Sequence, residues 1–157
     1  MVSVSVELRT VEGTQAAMGW ADGRAVVVDR TKGQAGGQGL GFNGAQLLAL
    51  AIGGCFYNDL RYVAEDMGIG LGNIAVTVTI ELKGDPLQAA AARMSVLCDT
   101  LDGSDPQRII DAAKKICMII NSLRKDIPVT VEPTVAKQER PKTGHRRKPG
   151  PHSSHSP

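Results

Sequence analysis

An α+β fold, with antiparallel sheet covered by two principal helices, is what this sequence predicts. Period-two alternation of apolar residues over 2–8 and 74–82, a favoured hairpin dipeptide at Asp22-Gly23, and helical apolar periodicity over 44–67 and 104–124 carry that reading. The expected order is β-β-β-α-β-β-α-β.

Residues 2–8, VSVSVEL, alternate apolar and polar as a half-buried strand does. Residues 14–20 and 24–30 flank Asp22-Gly23 and complete a small antiparallel sheet. The glycine-rich passage KGQAGGQGLGFNG, residues 32–44, has neither a GK[ST] ending nor G-x-G-x-x-G spacing. It is therefore expected to be a mobile connection bordering a pocket rather than a phosphate cradle.

Asn43 is the expected cap of a helix running from Gly44 to about Met67, stopped by Gly68. Leu47, Leu48, Ala51, Ile52, Cys55, Tyr62 and Val63 share one side of it. So few positions between Ala45 and Phe56 are polar that this helix is expected to be covered on more than one face. Gly53 and Gly54 offer room for a close neighbour beside the thiol. Residues 74–82, IAVTVTIEL, form the next strand, and 91–98 return as its partner. Ser104 with Gln107 predicts a capping box for a second helix reaching about Arg124, with Ile109, Ile110, Ala113, Ile116, Cys117, Ile120 and Leu123 as its apolar stripe. A last extended piece, VTVEPTV, follows Pro128 and is expected at a sheet edge. Strands on both sides of the first helix leave apolar faces that one chain does not cover, and a dimer sharing its long helices would cover them.

The chain has 157 residues, 42% of them apolar, enough for one core. The division expected is a domain over 1–135 and a basic, disordered tail over 136–157. In the tail Lys137, Arg140, Lys142, Arg146, Arg147 and Lys148 against Glu139 give +5, which leaves −3 of the total +2 to the remainder. No aromatic side chains are interleaved with the basic ones, so no specific nucleic-acid partner is expected. His145, His152 and His155 in the tail have spacing that fits no compact metal site. Neither a long apolar span nor a secretory start is visible, which predicts a cytoplasmic protein with no membrane partner.

Cys55 and Cys117, 62 residues apart, each fall midway along a predicted helix, and the fold can bring those helices together. Two thiols meeting across a packed helix pair are either a redox site or core fillers. A metal site would need further ligands, and the domain holds no histidine. Asn58, Asp59 and Tyr62 lie one or two turns beyond Cys55 on its side of the helix. Cys117 has Lys114 three residues before it and Asn121 four after it. Cys98, at the end of a predicted strand, reads as structural, and Trp20 as a core or interface anchor.

These segments resemble the OsmC/Ohr family of osmotically induced and organic-hydroperoxide-resistance proteins. FNGAQLLALAIGGCF, residues 42–56, is similar to that family's N-P-x-x-L-L-x-A-x-x-x-x-C-F segment, and AAKKICMIINSLRKDIPVTV, residues 112–131, to its second cysteine helix and terminal strand. The resemblance spans roughly residues 10–135. It implies an OsmC-like intertwined homodimer in which Cys55 is the peroxidatic and Cys117 the resolving thiol, with Gln46, Phe56 and Tyr62 as pocket candidates. It further implies reduction of small organic hydroperoxides, no cofactor, no metal, and an external dithiol reductant, a lipoylated protein in the Ohr branch. The family proline stands as Gly44, the Ohr glutamate falls at Ala45, Met118 replaces a proline, and no arginine occurs from Glu12 to Thr14. Without that Arg-Glu pair, the alternative is a non-catalytic dimeric protein binding a small lipid or aromatic ligand, or a thiol redox sensor.

Overall fold

The computed structural model describes residues 1–132. Met1–Ile127 form one unit and a second begins at Pro128. The first unit contains two antiparallel sheets and three helices. Strands β1 (Glu7–Thr10), β2 (Ala17–Ala21) and β3 (Arg24–Val28) make a meander. Asp22 and Gly23 turn between β2 and β3 with φ of 49° and 75°, the doubly positive geometry that favours this dipeptide in two-residue hairpins. Strand β1 starts later than its alternation predicts. Its register pairs Glu7 with Trp20 and Thr10 with Ala17, so residues 1–5 overhang the turn and have nothing opposite to bond.

The glycine-rich passage is a folded strap rather than a mobile connection. Asp29, with its side chain only 2% exposed, accepts backbone N–H bonds from Arg30 at 2.8 Å, Gln38 at 2.9 Å and Leu40 at 3.1 Å. Phe42 then donates to the Val27 carbonyl at 3.0 Å and accepts from Asp29 N–H at 3.1 Å. Only glycine fits at 41, because a Cβ there would collide with the Val27 carbonyl. The strap thereby fixes where the first helix begins.

Helix α1 (Gly44–Asp66) opens on a complete capping box: Gln46 N–H donates to Asn43 Oδ1 at 3.0 Å and Asn43 N–H to Gln46 Oε1 at 2.9 Å. It ends at Met67, after which Gly68 takes φ +66°. Beneath it lies a long hairpin, β4 (Leu71–Lys83) and β5 (Gln88–Thr100). Ile74 opposite Cys98, Val76 opposite Val96 and Val78 opposite Met94 place their side chains toward α1. Gly53 faces side chains rather than another backbone: a Cβ there would stand 3.0 Å from Val78 Cγ2. Gly54 has open space beside it.

The second predicted helix is two helices, α2 (Gln107–Ile116) and α3 (Met118–Leu123), with Cys117 between them at φ −56° and ψ 110°. Asn121 Nδ2 donates to the Lys115 carbonyl at 2.9 Å, occupying the acceptor that the Ile119 amide would use in an unbroken helix. Ser104 does not cap α2. Its N–H is held by Asp102, its carbonyl accepts from Thr100, and Asp105 Oδ1 takes the Gln107 N–H instead. The strand expected after Pro128 is not formed over residues 128–132, which have no ladder in their own unit. The rest of that piece and the tail lie outside the described residues.

The core is a seam between α1 and α2: Phe56, Leu60, Val63 and Ala64 against Ile109, Ala113 and Cys117, floored by Ile74, Val76, Met94 and Val96. Leu60, Ile109 and Cys117 are fully buried. The opposite face of α1 is not covered by the described residues, leaving Leu50 and Tyr62 exposed.

Leu60→Ala would truncate a fully buried side chain in the middle of the seam and should cost about 2–5 kcal/mol in denaturant unfolding. Hydrogen bonds from Leu40, Gln38 and Arg30, with the Arg30 charge, outweigh burial and hold the Asp29 carboxyl below its ordinary 3.8. A lowered carboxyl contributes stability above its unfolded value and loses it as pH falls through the folded one. Protection of the Gln38 and Leu40 amides, relative to their intrinsic exchange, should therefore fall below about pH 3.8 and at every pH in Asp29→Asn, whereas unchanged protection would refute the anchor.

A buried cluster of two thiols and a carboxylate

Cys55 and Asp59 are one turn apart on α1, on the edge of the face that the seam buries. Cys55 Sγ donates to Asp59 Oδ2 at 3.7 Å. Cys117 meets them from the break between α2 and α3, and the two sulfurs and a carboxylate oxygen all lie within 4.8 Å of one another. Cys55 is half-buried, Cys117 fully buried, and all three cysteines are free thiols. Cys117 reaches the cluster from the last turn of α2, its N–H bonded to the Ala113 carbonyl at 3.0 Å, and the helix breaks directly after it.

Burial pushes the Cys117 thiol from its ordinary 9.0 up to about 12. The Ile120 N–H opposes the shift, while Asp59 and Cys55 add to it. Cys117 is thus a protonated thiol at neutral pH. Among the described residues no ion pair engages Asp59, so this carboxylate is buried without a cation.

The other residues singled out in the sequence are dispersed. Gln46 belongs to the α1 cap and borders a cleft of about 300 Å³ with Phe42, Leu50 and Gly54. Phe56 lies in the core, and Tyr62 is on the exposed side of α1. Arg61 donates to the Tyr57 hydroxyl at 2.9 Å, with its guanidinium carbon 5.3 Å from that ring's centre. Lys114 faces outward with Asp111, Lys115, Asn121 and Arg124. Cys98 is buried opposite Ile74, and its thiol is raised by burial and Asp99 against the opposing charge of Arg61. A second cleft, of about 280 Å³, lies one turn from both site cysteines, between Ile52 of α1 and Ile120 of α3, with Val78, Ala92 and Met94 inside and Arg93 and Arg124 beside them. The member whose role the sequence left open is Asp59. Its i,i+4 spacing from Cys55 was visible, but Asn58 and Tyr62 were equally near, and only the rotation of α1 in the seam selects it.

The model of the OsmC-like protein family matches residues 36–132, a span that contains the whole cluster. The chain belongs to the OsmC-like family. Solved OsmC-like structures share its fold. An OsmC-like protein from Vibrio cholerae superposes with a TM-score of 0.66 at 10% identity, covering 77% of this chain and 93% of that one. One from Mycoplasma pneumoniae gives 0.66 at 16% identity, with 79% and 89% covered. The organic hydroperoxide resistance protein OhrB of Bacillus subtilis gives 0.53 at 20% identity, with 80% and 93% covered. No curated protein matches the chain.

A thiol raised in the folded state stabilises it fully below the unfolded value and loses that contribution as pH climbs through the folded one. Stability should consequently decline between pH 9.0 and about 12. Urea midpoints measured across that window should show the decline in the reduced chain and a shallower one in Cys117→Ala.

Proposed function

We propose that this OsmC-like chain reduces small organic hydroperoxides through a transient Cys55–Cys117 disulfide. The observation that carries this reading is the convergence of both sulfurs and the Asp59 carboxylate within 4.8 Å. Family membership supports a hydroperoxide-resistance or stress-related role.

Asp59 supplies the proton handling that the family's Arg-Glu pair is not present to direct. As Cys55 Sγ attacks the distal peroxide oxygen, its proton passes to Asp59, the O–O bond breaks, and the departing alkoxide takes that proton as an alcohol. Cys55 is then a sulfenic acid. Cys117 Sγ attacks Cys55 Sγ, the S–O bond breaks, and the Cys117 proton leaves with hydroxide as water. Two thiols and one hydroperoxide thus become a disulfide, an alcohol and water. An external dithiol returns the pair to its reduced state. The 280 Å³ cleft beside Ile52 and Ile120 gives the organic group an apolar seat.

Exposed Val2, Val4, Val6, Leu8, Leu50 and Tyr62 support a homodimer as the working form. A cytoplasmic setting accords with three unpaired thiols; no helix among the described residues is long and apolar enough to cross a membrane. The second reading, a non-catalytic binder of a small lipid or aromatic compound or a redox sensor, is favoured by the same cleft and by the absence, among the described residues, of a cation paired with Asp59.

One equivalent of cumene hydroperoxide added to the anaerobically reduced chain should remove two thiols promptly, read by intact mass and thiol titration. Cys55→Ser should abolish the reaction, while Cys117→Ser should stop at a Cys55 sulfenic or higher acid. Oxidation no faster than that of free cysteine would leave the binding reading in place.

A further inference from the structure

We infer that the reduced cluster is also a binding site for a thiophilic divalent cation of the Zn²⁺ class, with Cys55, Asp59 and Cys117 as its three protein ligands. The inference needs only the reduced pair and holds whether or not that pair turns over peroxide. Two thiolates and one carboxylate are a donor set that such an ion accepts, with a fourth position left for water. The donors come from two rigid positions, one turn of α1 and the helix break, rather than from a loose surface group. All lie within 4.8 Å. Bonds of about 2.3 Å to sulfur place tetrahedral sulfur ligands about 3.8 Å apart, so the cluster contracts by at most about 1 Å to close on the ion.

Charge points the same way. A buried carboxylate without a cation is costly unless something neutralises it, and among the described residues Asp59 has only the two thiols as hydrogen-bond partners. Binding exchanges both thiol protons for the ion and changes no oxidation state. The bound sulfurs are then withheld from peroxide, so the ion protects the resting site and must leave before oxidation.

The test uses the full chain with His145, His152 and His155 changed to Ala, reduced anaerobically and titrated with Co²⁺ and then Zn²⁺. One Co²⁺ per chain should give a sulfur-to-cobalt charge-transfer band that Zn²⁺ abolishes. Cys55→Ser and Cys117→Ser should lose the band, Asp59→Asn should weaken binding, and Cys98→Ser should retain it. Circular dichroism establishes that each variant is folded. Proton release provides a check that needs no cysteine variant, since about two protons should appear per ion. A band that survives Cys55→Ser, absence of saturation at one equivalent, or binding without proton release would each overturn the site. A chain inert to cumene hydroperoxide that still binds one ion would refute the peroxidase reading and keep this one.

Discussion

The packing of α1 on α2 is the constraint on which the rest of this structure depends. Phe56, Leu60 and Val63 meet Ile109, Ala113 and Cys117 in one apolar seam. Because the seam is close-packed, rotation of either helix would strand large side chains in water. The depth and azimuth of Cys117 are therefore set by core packing, as are those of Cys55 and Asp59 at the seam's edge. Gly53 lets α1 settle onto Val78, and the strap around Asp29 fixes the helix start. The cluster of two thiols and a carboxylate is a by-product of how the core closes.

Much of this was legible in the residues. Asn43 and Gln46 spelled out the start of α1 because a capping box is a local device, decided within four residues. The Asp22-Gly23 turn and the alternation of Ile74, Val76, Val78 and Ile80 were legible for the same reason. The break at Cys117 was not, since neither glycine nor proline marks it. It arises when the Asn121 side chain captures a backbone carbonyl, an event indistinguishable in sequence from an ordinary polar residue on a helix surface. The strap is not legible in the same way, because a glycine-rich segment reads as mobile, whereas here one carboxylate from outside the passage satisfies two of its amides.

The thiol pair itself was visible as two periodic positions, but its third member depended on the rotation of a helix that is apolar nearly all round. Such a helix gives little indication of which side is core, so Phe56 and Tyr62 could not be separated in advance. Burial separates them: one completes the seam, the other stands on the uncovered face. The chemistry follows from that choice. Among the described residues a carboxylate rather than a guanidinium sits beside the thiols, and a carboxylate can accept and return a proton where a cation would hold a thiolate.

Helix α3 has only six residues and no fully buried side chain, and it is tied to α2 through the non-helical peptide at Cys117. Segments with so little buried surface occupy the low end of a protein's local stability. It is therefore a compliant lever placed next to a rigid fulcrum. A shift at Cys117 would be passed first to this lever, the neighbouring segment with the least packing to lose.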